Sequence, residues 1–126
     1  MAIEFAHELR SRDMTYTAWR AIHTLWHLGP LRLVELADKA NFEISTLSRV
    51  ISDLQRRKLV FRTEEKAVRN GKVGLTPLGI ALVEELAPVA RAQEAQAVSC
   101  FTPAEIMMLT ELLQRLGSNI EAKFAG

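Results

Sequence analysis

One apolar stripe constrains this chain more than any other feature. In EISTLSRVISDLQRRKLVFR, residues 43–62, Leu47, Val50, Ile51 and Leu54 recur at i, i+3, i+4 and i+7. That is the spacing of a helix buried along one side. The other side carries Ser45, Thr46, Ser48, Arg49 and Ser52, then the segment runs into Arg56, Arg57 and Lys58. Short hydroxyls and an arginine stand where a solvated helix would carry Glu and Lys. Such a face is suited to contact with a partner.

The flanking segments predict what this helix packs against. Residues 1–11 read as a short amphipathic helix with Ile3, Phe5, Ala6 and Leu9 on its apolar side. A second helix, Thr15 to Leu28, places Ala18, Trp19, Ile22, Leu25 and Trp26 in core spacing and stops at Gly29-Pro30. Leu31 to Leu33 suggests a short strand, Val34 to Ala40 a compact helix, and Asn41 a left-handed turn. The stripe helix follows, from about Ile44 to Arg57. Leu59–Thr63 and Val73–Thr76 then flank a polar tip containing Asn70-Gly71, which predicts a hairpin with a long basic loop. Thr76-Pro77 opens a further helix bearing Leu78, Leu82, Leu86 and Val89, which Pro88 should kink or end near Ala87. Thr102 and Glu105 form a capping box for the C-terminal helices, with Gly117 as a stop between them.

Two short helices, a tight turn and a two-stranded hairpin make a helix-turn-helix with a wing. Ala37 lets the two helices approach, and Leu36, Ala40, Phe42, Leu47 and Val50 supply the apolar seam. Charge distribution fits: residues 44–74 hold eight basic side chains against three acidic, a net +5, whereas the whole chain is only +1. A basic central segment is the footprint expected for nucleic acid, with a solvated charged face as the alternative.

The run LVELADKANFEISTLSRVISDLQRRKLVFR, followed by RNGKVGLTPLG, resembles the MarR-type family of bacterial transcriptional regulators. The similarity extends through FTPAEIMMLTELLQRLGSNIE, which resembles that family's C-terminal dimerisation helices. The resemblance implies a mainly α fold: a winged helix-turn-helix with a small β-hairpin wing and N- and C-terminal dimerisation helices. It implies a single domain over residues 1–126, with a DNA-binding part at about 31–76 and a helical dimerisation part at about 1–28 and 77–126. It further implies a homodimeric repressor of pseudo-palindromic promoter DNA. Many relatives release DNA when a small, often phenolic, compound binds between these parts. Ser45, Thr46, Ser48 and Arg49 match the family's recognition-helix positions, Arg62 the arginine after the first wing strand, and Arg69 that of the wing tip. Lys72 joins them in the basic hairpin. The chain departs where the family has an Asp before the wing arginine (here Ala67), an Asp-Arg pair (here Ser52-Asp53) and a Gly after the helix (here Lys58). Its N-terminal helix is also short for the family. Asp53 is expected to pair with Arg49 or to face away from DNA.

Other functions find weaker support. His23 and His27 stand four apart, but HTLWH lacks a metalloprotease glutamate and further ligands, so no metal is expected. Trp19, His23 and Trp26 could line a pocket for a small aromatic effector or simply form a core face. Cys100 reads as an inert thiol rather than a redox sensor, and a single cysteine fits a reducing compartment. The chain shows no phosphate loop, nucleophile elbow or plausible triad, which predicts no cofactor and no enzyme. Neither an apolar run of membrane length nor a signal pattern is visible, so a cytoplasmic location is expected. The competing class is a winged-helix protein-interaction or dimerisation module that does not bind DNA. Exposed apolar anchors on the second helix would favour it. Finally, Ile106, Leu109, Leu112, Leu113 and Leu116 form a stripe broader than one small domain can cover, which predicts an isologous homodimer.

Overall fold

Helix α2 (Tyr16–Leu28) is the hub of the structure, a computed structural model that describes residues 2–63 and 71–124, with side chains described for 5–63 and 71–120. Thr15 caps α2 by accepting the Ala18 N–H at 3.0 Å, and Gly29, at φ 77°, ends it by donating to the Leu25 carbonyl. Around α2 pack α1 (Ala2–Ser11), α3 (Leu33–Ala40), α4 (Ile44–Arg56) and the first half of α5 (Pro77–Ala97). Ile22, Leu36, Leu47, Ile51, Leu54, Val83 and Leu86 are the large side chains most completely withdrawn from water. They come from α2, α3, α4 and α5, so burial of one shared core fixes the position of α4.

Strands β1 (Leu31–Arg32), β2 (Val60–Arg62) and β3 (Lys72–Leu75) form an antiparallel sheet in the order β1-β3-β2. Val60 pairs with Leu75 and Arg62 with Val73, and Leu31 pairs with Val73 and Arg32 with Lys72. The expected hairpin is therefore present, and β1 closes its other edge. The β1 segment is shorter than expected because Leu33 already begins α3. The Glu35 carboxylate accepts the Arg32 N–H at 3.0 Å, turning the chain into the helix at that point.

Three expectations for the C-terminal half are corrected. Of the two outcomes expected at Pro88, a kink or an end, the end is ruled out: helix α5 runs on to Ala97. Pro88 and Glu84, the residue four before it, are both exposed, so water can satisfy the carbonyl that proline leaves without a donor. The buried line of α5 is Gly79, Val83, Leu86 and Ala87. Leu82 and Val89 are only half-buried, and Leu78 is 58% exposed. Gly79 sets this phase: a Cβ there would lie 2.1 Å from the Leu59 carbonyl oxygen, so only glycine allows α5 to start this close to the residue that leads into β2. Helix α6 (Pro103–Phe124) is a single helix that passes through Gly117. One glycine costs about 1 kcal/mol relative to alanine in a helix interior, which helix formers on either side absorb. The capping box forms as expected, with Thr102 N–H to Glu105 at 2.9 Å and Glu105 N–H to Thr102 Oγ1 at 3.2 Å.

Among the described side chains of α6, Ile106 is half-buried and all others are exposed. Met107, Met108, Leu109, Leu112, Leu113, Leu116 and Ile120 face solvent along one uninterrupted helix.

Candidate nucleic-acid interface

The turn between α3 and α4 is built from three interactions. Asn41 adopts the left-handed conformation (φ 58°, ψ 52°), and the Phe42 N–H returns to the Ala37 carbonyl at 2.8 Å, satisfying carbonyls at the end of α3. From α2, the Arg20 guanidinium donates to the Ala40 carbonyl and lies 4.8 Å from the centre of the Phe42 ring. Arg20 has no place among the sequence candidates, because its partners are 20 or more residues away and only the tertiary fold brings them together.

Beyond that turn, α4 buries Leu47, Ile51 and Leu54 and half-buries Val50. Ser45, Arg49 and Ser52 are exposed, while Thr46 and Ser48 are half-buried on the flanks. One helix face thus presents all the recognition-helix candidates. Among the described residues, Arg49 has no hydrogen bond or ion pair. Asp53 does not pair with Arg49. Its partner is Arg56, at 3.0 Å. Helical side chains lean toward the N-terminus, so Arg56 reaches back to Asp53 whereas Arg49 leans away from it.

The basic run at the end of α4 divides its labour. Arg56 neutralises Asp53. Arg57 donates to the carbonyls of Asp13 and Arg12, each at 2.8 Å. Lys58 stands in the left-handed region at φ 62°. The positive charge counted in the sequence is therefore partly committed to holding the fold.

At the wing, Arg62 on β2 and Lys72 on β3 are both exposed. Thr63 clamps the two arms where the tip begins: its N–H donates to the Lys72 carbonyl at 2.9 Å, and its Oγ1 accepts the Lys72 N–H at 2.8 Å. Arg69 and Ala67 lie outside the described residues. Arg32, opposite Lys72 across β1 and β3, stands at the base of the wing with its guanidinium paired to Glu35 at 3.1 Å. Two hydrogen bonds from Arg32, first its backbone N–H and then its side chain, hold the Glu35 carboxyl below its ordinary value. The charges of Arg32 and Lys72 act in the same direction. Arg32 could be found only through strand pairing, which the sequence does not display.

The aromatic candidates form a stack along α2. Trp19 is buried and meets Phe5 edge-on at 5.3 Å. His23 stacks 4.9 Å from Trp19 and 6.1 Å from Trp26, with His27 edge-on to it at 4.5 Å. Burial lowers the His23 pKa, with repulsion from His27 and Arg91 helping and Glu94 opposing. The structure thus brings Trp19, His23 and Trp26 together, with Trp19 in the core and the other two half-buried. Among the described residues, no group of three or more His, Cys, Asp or Glu side chains is arranged for a metal ion.

Comparison with known proteins agrees with this geometry. The sequence model of the MarR family matches residues 14–67. YxaD, an HTH-type transcriptional regulator of Bacillus subtilis, is 30% identical over 112 residues, covering 86% of this chain and 77% of YxaD. The chain belongs to the MarR family. The structure of a MarR family transcriptional regulator from Silicibacter pomeroyi superimposes on this MarR chain with a TM-score of 0.79. It is 30% identical and covers 92% of this chain and 79% of its own. Bordetella bronchiseptica BpsR, whose DNA binding is regulated by 6-hydroxynicotinic acid, superimposes with a TM-score of 0.76. It is also 30% identical, covering 82% of this chain and 80% of its own. MarR proteins are transcriptional regulators rather than enzymes. Among the described residues of this MarR chain, no helix is long and apolar enough to cross a membrane.

Proposed function

We propose that this MarR-family regulator is a homodimeric repressor that reads a pseudo-palindromic promoter site with α4 and touches the flanking backbone with its wing. The observation that carries the reading is the outward face of α4, where Ser45, Thr46, Ser48 and Arg49 stand together and Arg49 is uncommitted among the described residues. An arginine on a major-groove helix can bond guanine O6 and N7 bidentately, and hydroxyls serve bases or phosphates. Arg62, Arg69 and Lys72 supply phosphate or minor-groove contacts from the wing. The winged-helix part is assigned to about residues 31–76, and the helices on either side to dimerisation.

The protein-interaction alternative fits this face less well, because an apolar partner would need apolar anchors where these hydroxyls stand. Release of DNA by a small aromatic compound is the natural regulatory extension, in line with BpsR and 6-hydroxynicotinic acid. Trp19, His23 and Trp26 are the candidate contacts. Selection from random duplexes should return two half-sites about one helical turn apart. On the selected duplex, Arg49→Ala should cost about 1–3 kcal/mol and relax base preference at one position. Unchanged affinity and preference would remove α4 from the interface.

A further inference from the structure

We infer that Arg57 is a positioning residue that sets the recognition helix against α1 and α5 and thereby the half-site spacing the dimer accepts. The inference rests on the DNA-reading dimer proposed above.

Core side chains join α4 to α2, α3 and β2, and a polar contact joins its C-cap to the turn that follows α1. The two terminal nitrogens of Arg57 donate separately to the Asp13 and Arg12 carbonyls, each at 2.8 Å. These carbonyls close the end of α1, where Asp13 takes φ 52° and Met14 N–H returns to the Leu9 carbonyl at 2.8 Å. The Arg12 side chain continues the connection. It donates through both terminal nitrogens to Glu85 on α5, one bond measuring 2.9 Å, and lies 3.7 Å from Glu8 within α1. A polar path therefore runs from the end of α4, through the end of α1, to the middle of α5.

Chemistry makes this path directional. A guanidinium is planar, with its donors in a fixed fork, so two bonds to carbonyls on adjacent residues define an orientation as well as a distance. A lysine in its place would keep the charge but lose the fork. Both terminal nitrogens of Arg57 are engaged with backbone carbonyls, so the guanidinium is aimed into the protomer. In a two-fold dimer, a small rotation of α4 relative to α1 and α5 is applied twice, once per protomer. It changes the separation and twist of the two reading heads directly.

The test uses the intact protein and a panel of duplexes in which the selected half-sites are separated by one base pair more or fewer, a step that turns one half-site by about 36°. The parent should lose at least about tenfold in affinity on either altered duplex. Arg57→Ala should narrow that loss to within about threefold, with unchanged affinity for random DNA and an unchanged salt slope. Arg57→Lys should relax spacing in the same way, because charge without the fork does not restore the orientation. It decides the matter by itself if Arg57→Ala fails to fold. A spacing profile identical to the parent's in the folded variant would overturn the assignment, as would full rescue by lysine. A uniform loss on all DNA with a shallower salt slope would instead make Arg57 a phosphate contact. A parent that selects no paired half-sites at all would overturn the dimer reading itself, which distinguishes the two failures.

Discussion

Asp13, Asn41 and Lys58 occupy the left-handed region without glycine's freedom, at φ 52°, 58° and 62°. Each ends a helix in the same way. The next residue's N–H returns to a carbonyl five positions back: Met14 to Leu9 at 2.8 Å, Phe42 to Ala37 at 2.8 Å and Leu59 to Leu54 at 3.0 Å. Asparagine and aspartate tolerate this conformation because their short polar chains bond locally, whereas lysine bears a steric cost of about 1–2 kcal/mol. Lys58→Gly should therefore raise stability by about 0.5–1 kcal/mol after the extra flexibility glycine gives the unfolded chain. A higher urea midpoint with an unchanged slope is the expected reading. His23 supports a second prediction. Its folded pKa lies below the ordinary imidazole value, so the unfolded chain binds the proton first as pH falls. Stability is full above about pH 6.5 and declines from there toward the lower folded value. His23→Phe keeps a ring between the two indoles and cannot take up a proton, so its melting temperature should fall less between pH 7 and pH 5. A parallel fall in both proteins would show that another group dominates.

At the scale of elements, the helices were legible wherever their ends carry chemical signals. Thr15, Asn41, Thr76-Pro77 and Thr102–Glu105 all sit at element boundaries in the structure, because caps act within a few residues of chain. The stripe Leu47–Val50–Ile51–Leu54 likewise placed the outward face of α4 without knowledge of its neighbours. What stayed hidden depends on contacts across the chain. The rotation of α5 follows from Gly79 against the Leu59 carbonyl, 20 positions earlier in sequence, so the leucine pattern alone pointed to Leu78. Arg57 looked like one cation among eight until its bonds to Arg12 and Asp13, 45 and 44 positions away, showed where its charge goes. Spacing suggested Arg49 as the partner of Asp53, whereas the lean of helical side chains brings Arg56 to it. Charge counted along a sequence measures supply, and only the fold shows how much is available at the surface.

The whole molecule carries an arm with no cover of its own. Leu112 and Leu116 are 50% and 56% exposed on α6, beside Met108 and Leu113, and a contiguous apolar face of that kind marks an association surface. Combined Leu112→Glu and Leu116→Glu substitution should shift sedimentation from twice the 14.1 kDa chain mass to a single chain. The near-UV signal of buried Trp19 should persist, because α6 is separate from the core around α2. Unchanged mass would place the dimer contact elsewhere. An arm that is covered only when shared also makes the abundance of the regulator a control variable. Below the concentration at which protomers pair, promoter occupancy should vary with the square of protein concentration, so that a modest change in synthesis or turnover moves transcription more than proportionately.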